Sequence, residues 1–220
     1  MNKLIYSFIF FLFFMTCKTS AHVQHYAKLN EIKFDIFRND QKVGYHNIIF
    51  SRNNGVLTVQ NEIKFNIKKL GISFYDYFSQ GTEVYDKEGS LFEFVSETSD
   101  NKKIKYCKIK KQKNNQYVID GTNFKGVLEK DFAISSYWNH EILKKTTQIS
   151  GISCKIKDQK VSFLRKEIIE VNKVKTESLV FDIQGTDLNT QVWFREKDFT
   201  IVKQVLIQKG TWRYEVQAIN

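Results

Sequence analysis

The segment Leu57-Thr-Val-Gln-Asn-Glu-Ile-Lys-Phe-Asn-Ile67 alternates with a period of two. Leu57, Val59, Ile63, Phe65 and Ile67 point one way, and Thr58, Gln60, Glu62, Lys64 and Asn66 the other. That pattern belongs to a strand buried on one face only, as in an antiparallel sheet. It is entered through Asn53-Asn-Gly55, a hairpin turn, because Asn and Gly accept positive φ at little cost.

The same alternation spreads in both directions. Upstream, Ile32, Phe34 and Ile36 oppose Lys33 and Asp35, Asn39-Asp-Gln-Lys42 turns the chain, and Val43 to Phe50 returns as the partner. Downstream, Gly71 leads into Ile72-Ser-Phe-Tyr-Asp-Tyr-Phe78, whose aromatics on both faces predict a strand that is sandwiched or lines a cavity. Further strands run through Leu91 to Thr98, Tyr117 to Asp120, Val161 to Val171, Lys175 to Ile183, Thr190 to Glu196 and Trp212 to Ala218. Turn residues recur about every ten positions and long helical periodicity is absent, so the expected fold is all-β. We read it as a large curled antiparallel sheet, half-barrel or sandwich-like.

One stretch breaks the rhythm. In Ile134-Ser-Ser-Tyr-Trp-Asn-His-Glu-Ile-Leu-Lys-Lys145 the residues Ile134, Tyr137, Trp138, Glu141 and Ile142 recur at three-to-four spacing. Ser135 or Ser136 suits the start of a helix, and Lys144 and Lys145 suit its negative end. This predicts one short central helix packed on the sheet through Tyr137 and Trp138.

The amino terminus reads as a signal peptide over residues 1–21. Lys3 precedes an uncharged apolar run from Leu4 to Thr16, too short to span a bilayer as a helix. Thr19 and Ala21 occupy the small-residue positions of a cleavage site. Cleavage near Ala21 would release a single domain, 22–220, into the periplasm or medium. A lipid-modified Cys17 is disfavoured by the bulky Phe14 and Met15 before it.

The formal net charge is +10, of which Lys3 and Lys18 would leave with the signal. Seven lysines cluster in 102–113: Lys102, Lys103, Lys105, Lys108, Lys110, Lys111 and Lys113. In a strand they occupy both faces, which predicts a solvated edge that resists pairing. An anionic membrane surface is the other partner they suit. No nucleic-acid motif accompanies the charge, so nucleic acid is not expected. After export only Cys107 and Cys154 would remain, which leaves two readings: a disulfide tying the two halves together, or two buried thiols.

A resemblance rests on Phe34-Asp-Ile-Phe-Arg38 with Val43-Gly-Tyr-His46, Gly81-Thr-Glu83, Leu91 with Ser96-Glu-Thr98, Ser136-Tyr-Trp-Asn139, Gln148 with Gly151, Val192-Trp-Phe194 and Tyr214-Glu215. With these the chain resembles a family of exported bacterial proteins defined as a domain of unknown function. The resemblance implies a periplasmic location in a double-membraned bacterium and an antiparallel β-fold, and no activity. The layout is also similar to half-barrel lipid and lipoprotein carriers, an analogy of fold alone.

No chemistry is spelled out by motif. His140 and Glu141 beside Ser135 and Ser136 suggest a hydrolase, yet sequential neighbours on a helix do not face one another and no nucleophile elbow is present. Glu83 with Asp86 could form a carboxylate pair. Cleavage after Ala21 would free His22 to chelate copper with His25, His46 or His140. We expect no cofactor, no metal and no catalytic residue. The favoured reading is a binding protein for a lipid or other apolar ligand, held by Tyr137, Trp138, Phe74 and Phe78; an envelope scaffold is the alternative.

Overall fold

The computed structural model describes residues 26–129, 131–208 and 210–220. The expected signal peptide, Cys17, and the His22 and His25 of the copper idea lie outside the described residues. Among the described residues fifteen strands form one hydrogen-bonded sheet. The first arm is β1 (Glu31–Arg38), β2 (Gln41–Asn53), β3 (Val56–Lys69), β4 (Ile72–Tyr85), β5 (Leu91–Asp100), β6 (Lys103–Lys111), β7 (Tyr117–Gly121) and β8 (Lys125–Leu128). Each pairs antiparallel with the next.

The second arm is β9 (Ala133–Ile134), β10 (Thr147–Ile149), β11 (Ile156–Val171), β12 (Val174–Gly185), β13 (Leu188–Arg195), β14 (Ile201–Ile207) and β15 (Thr211–Ile219). It is antiparallel from β10 onward, while β9 lies parallel to β10. The arms join where β15 pairs with β1, Ile36 facing Tyr214 and Phe34 facing Val216. The first and last strands therefore lie side by side at the middle of the sheet, and β8 and β9 are its two edges.

Those far ends meet. Cys107 on β6 is bonded to Cys154, just beyond β10. Alongside the bond, Asn123 N–H donates to the Ser153 carbonyl at 2.8 Å, and Ser96 Oγ donates to the Gly151 carbonyl. Phe94, Ile109, Ile119, Ile134 and Ile149 are buried together around the bond. The inner faces of the arms pack on one another: Ile32, Phe34, Ile48, Phe50 and Val59 share a core with Val180, Val192, Phe194 and Ile201. Burial of such side chains is worth roughly 1.5–3 kcal/mol each and holds the sheet bent.

Three expectations need correction. The central stretch is not an α-helix. Tyr137 sits at φ +58, left-handed for a residue with a Cβ, so the winding is interrupted before it can propagate. Only a 3-10 turn forms, His140–Lys144, capped by Asn139, whose side chain accepts from Glu141 N–H. Second, the lysine-rich β6 is no edge, since β5 and β7 pair on either side of it. Lys105 and Lys111 point inward and are paired with Asp100 and Asp86, while Lys108 and Lys110 point out. Third, of the two readings of the aromatic start of β4, the sandwiched one fails: Tyr77 is buried, whereas Phe74 and Phe78 are exposed.

Candidate functional site

Four strands carry polar residues on the face that should be apolar. On β2, Ile48 and Phe50 point inward, and so does His46; on β3, Asn61 takes an inward position between Val59 and Ile63. On β4 the inward positions beside Tyr77 and Tyr85 are Ser79, Gly81 and Glu83, and on β5 Ser96 and Thr98 follow Phe94. Register brings them together: His46 faces Ile63, Asn61 faces Gly81, and Gly81 faces Ser96. The result is a polar stripe across the concave side of the first arm.

The stripe is a connected network. His46 Nε2 lies 3.3 Å from Asn61 Oδ1, and Asn61 Nδ2 donates to Glu83 Oε1 at 3.1 Å. Trp138 Nε1 donates to the same oxygen at 2.9 Å, and the Tyr85 hydroxyl donates to Oε2 at 2.6 Å. Glu83 is fully buried, and no cation bridges to it among the described residues. Burial pushes its carboxyl above the usual range, against the pull of these donors. His46 is stacked on Phe34 at 5.6 Å and edged by Tyr214, and burial lowers its pKa to about 4, so it is neutral at pH 7.

A cavity of about 750 Å³ lies over this stripe. Its floor is His46, Asn61 and Glu83, and Gly81 and Ser96 leave it open where larger side chains would fill it. Its walls are aromatic. Phe65 stacks on Tyr77 at 4.6 Å and meets Trp212 at 4.9 Å, with Tyr75 and Tyr214 beside them. Gln148 closes the second-arm side, accepting from the Tyr137 hydroxyl and donating to Gln159 at 2.7 Å. The lining residues that reach solvent, Phe74, Asp187 and Gln208, mark the mouth, and Arg38, Lys105 and Lys157 line the cavity too. The likeness noted from the sequence falls on this place, for His46, Gly81, Glu83, Ser96, Tyr137, Gln148, Gly151 and Tyr214 all line the cavity.

The four residues named from the sequence divide. Tyr137 lines the cavity and Phe74 stands at its rim. Trp138 is wholly buried behind the floor, edge-on to Tyr26, Phe50 and Tyr85, and reaches Glu83 from the side away from the cavity. Phe78 points outward and is not among the lining residues. The left-handed turn at Tyr137 is what sends these neighbouring rings to opposite sides.

The catalytic candidates do not assemble. His140 Nδ1 meets the Tyr26 hydroxyl and the ring packs on Phe199 at 4.8 Å. Ser135 accepts from Gly151 N–H, and Glu141 is paired with Lys144 at 2.7 Å. Glu83 and Asp86 are separately engaged, Asp86 with Lys111. Among the described residues no three His, Cys, Asp or Glu side chains are grouped as a metal site.

The buried pair has a pH signature. Unfolded, His46 would take up a proton near 6.5, whereas folded it resists until about 4. Stability attributable to it is therefore complete above 6.5 and is lost as pH falls toward 4, by at most about 3.5 kcal/mol at about 1.4 kcal/mol per unit. Glu83 acts in the opposite sense: its raised pKa makes stability fall as pH rises above its ordinary 4.5. In urea titrations at pH 7 and pH 4.5, His46→Gln is expected to shrink the loss on acidification and Glu83→Gln to enlarge it. Identical differences for parent and variants would show that neither residue titrates abnormally.

A family model described as "Domain of unknown function (DUF6134)" matches residues 34–217. A crystal structure of a beta-barrel-like protein of domain of unknown function DUF1849 from Brucella abortus is similar, with a TM-score of 0.61 and 11% identity. The match covers 87% of this chain and 98% of that one, and at that identity it speaks for the fold alone. None of the curated proteins matches the chain.

Proposed function

We propose that this chain, which belongs to the DUF6134 family, is an exported binding protein that takes up a lipid or other amphipathic molecule without transforming it. The single observation that carries the reading is the cavity of about 750 Å³, which falls within the ~300–1,000 Å³ typical of ligand sites. Its walls of Phe65, Tyr77, Trp212 and Tyr214 suit an acyl chain. Arg38 and Lys157 among the lining residues suit an anionic headgroup, Lys105 being already paired with Asp100, and the His46–Asn61–Glu83 floor offers hydrogen bonds at the far end. Export is supported by the Cys107–Cys154 bond, since disulfides persist in oxidising compartments such as the periplasm.

Native mass spectrometry tests this directly. Incubation with phosphatidylglycerol or a long-chain fatty acid is expected to add one ligand mass to the parent. Ile63 lines the cavity and is only partly buried, so Ile63→Trp should fill space instead of displacing packed atoms. That variant is expected to fold normally and to take up no ligand. A clean apo mass for the parent after challenge would sink the proposal.

A further inference from the structure

The β3–β4 hairpin reaches beyond its neighbours. Pairing of β2 with β3 begins only at Gly44–Phe65, and pairing of β4 with β5 ends at Tyr77–Asp100. Residues 66–76 therefore stand out as a two-stranded ribbon at the mouth of the cavity, where Ile67, Phe74 and Tyr75 line the opening. A two-stranded ribbon is marginal by itself in water. This one is nonetheless tipped with apolar side chains: Leu70 is 95% exposed, Ile72 74% and Phe74 72%.

The turn itself is the sharper observation. Leu70 and Gly71 both have positive φ, 50° and 78°. The chain makes comparable turns elsewhere with Asn first: Asn39-Asp40, Asn54-Gly55, Asn101-Lys102 and Asn172-Lys173, each at positive φ. Asn takes that conformation readily, whereas a large apolar residue with a Cβ takes it only at a steric cost. At the one hairpin that overhangs the mouth, an oily side chain thus occupies a position that both backbone and solvent disfavour. Such a choice has no benefit in water; it has one if the tip meets an apolar phase.

The surroundings name that phase. Lys68 and Lys69 adjoin the tip, and the β5–β6 turn sets Lys102 and Lys103 beside the ribbon, with Asn101 N–H donating to the Asp76 carbonyl. Apolar residues at an extremity with lysines set back from them match a bilayer, whose acyl boundary lies beneath anionic headgroups. We propose that this hairpin docks the protein on an anionic lipid bilayer, Leu70, Ile72 and Phe74 entering the headgroup layer while Lys68, Lys69 and Lys102 meet the phosphates. The cavity mouth then faces the membrane, and a lipid can pass between the two without crossing water. Only that last consequence rests on the ligand reading above.

Flotation of the purified protein with vesicles tests the docking. Strong binding is expected to phosphatidylglycerol–phosphatidylethanolamine vesicles and weak binding to phosphatidylcholine alone, with the difference collapsing at high salt. Leu70→Asn combined with Ile72→Ser should weaken binding at least about tenfold, yet leave the melting temperature no lower, because Asn suits the turn. Lys68→Gln with Lys69→Gln should also cost about tenfold. Neither pair lines the cavity, so lipid uptake measured without vesicles should be unchanged in both. Failure of uptake with intact vesicle binding would discard the ligand reading and keep the docking. Vesicle binding that ignores the Leu70–Ile72 variant overturns the docking, as does self-association of the parent through the tip in place of vesicle binding.

Discussion

Trp138→Ala is expected to unfold most of the population at temperatures where the parent is stable, at a cost of about 4 kcal/mol or more. The first part of the loss is a cavity. Trp138 is completely buried and packs edge-on against Tyr26, Phe50 and Tyr85 at centroid distances of 5.2 to 5.6 Å; truncating such a residue costs roughly 3–5 kcal/mol. The second part is electrostatic. The indole N–H is one of two donors to Glu83 Oε1, Asn61 being the other, so its loss removes one hydrogen bond without orphaning the oxygen, roughly 0.5–1.5 kcal/mol. Trp138→Phe separates the two, because it retains most of the ring packing and drops only the donor. Equilibrium denaturation should place Phe between Trp and Ala. If Phe were as damaging as Ala, the hydrogen bond to Glu83 would be the whole of the effect and the packing account would fail.

Loss of the disulfide is the second large effect. Cys107 and Cys154 are 47 residues apart, and opening a loop of that length is expected to remove about 4 kcal/mol on the chain-entropy account. The bond also has a local task. It fixes the β9–β10 end of the sheet against β6 and β7, the contact through which Ile134, Ile149, Ile109 and Ile119 are buried together. Cys107→Ser with Cys154→Ser should therefore lower the midpoint of denaturation and speed hydrogen exchange in β9, β10 and β7 before it does so in β1 or β15.

Gly121 offers an independent route to the same end. It lies opposite Cys107 in the register, and a Cβ there would stand 2.4 Å from Cys154 Cβ. Gly121→Val should force the bridge out of place even with both cysteines intact, and an unaltered melting temperature in that variant would show that the two ends are held by something else.

These effects bear on function because Glu83 and the disulfide anchor opposite flanks of one cavity. Glu83 ties the first-arm floor to the turn that carries Tyr137 and Trp138. The bridge holds Gly151 over Ser96 and Phe94. On the binding reading proposed above, Trp138→Ala and the double cysteine variant should also show weakened ligand uptake in the native mass assay.

The sequence carried the strands clearly. Alternation over Leu57–Ile67 and Trp212–Ala218, and Asn-containing turns between strands, are local signals that a backbone obeys without knowing its neighbours. The helix expected at Ile134–Lys145 failed for a local reason as well: the apolar spacing is real, but one left-handed residue, Tyr137, delivers Ile134, Trp138 and Ile142 to the core without a helix. The cavity floor was half visible. His46, Asn61 and Glu83 break the apolar phase of their own strands, a polar residue at an inward position being the signal that could have singled them out.

What the amino-acid order determined unaided was most of the longer strands, the oily face of those that alternate strictly, and the Asn- and Gly-bearing turns between them, because side-chain periodicity and φ preferences act within a few residues. What only the folded chain decided was which inward polar groups share a network and that Cys107 meets Cys154. It also decided that Leu70, Ile72 and Phe74 stand clear of every neighbouring strand. Those outcomes depend on the register between strands and on the bending of the sheet until its ends touch. Both are set by packing between residues far apart along the chain, which no local pattern records.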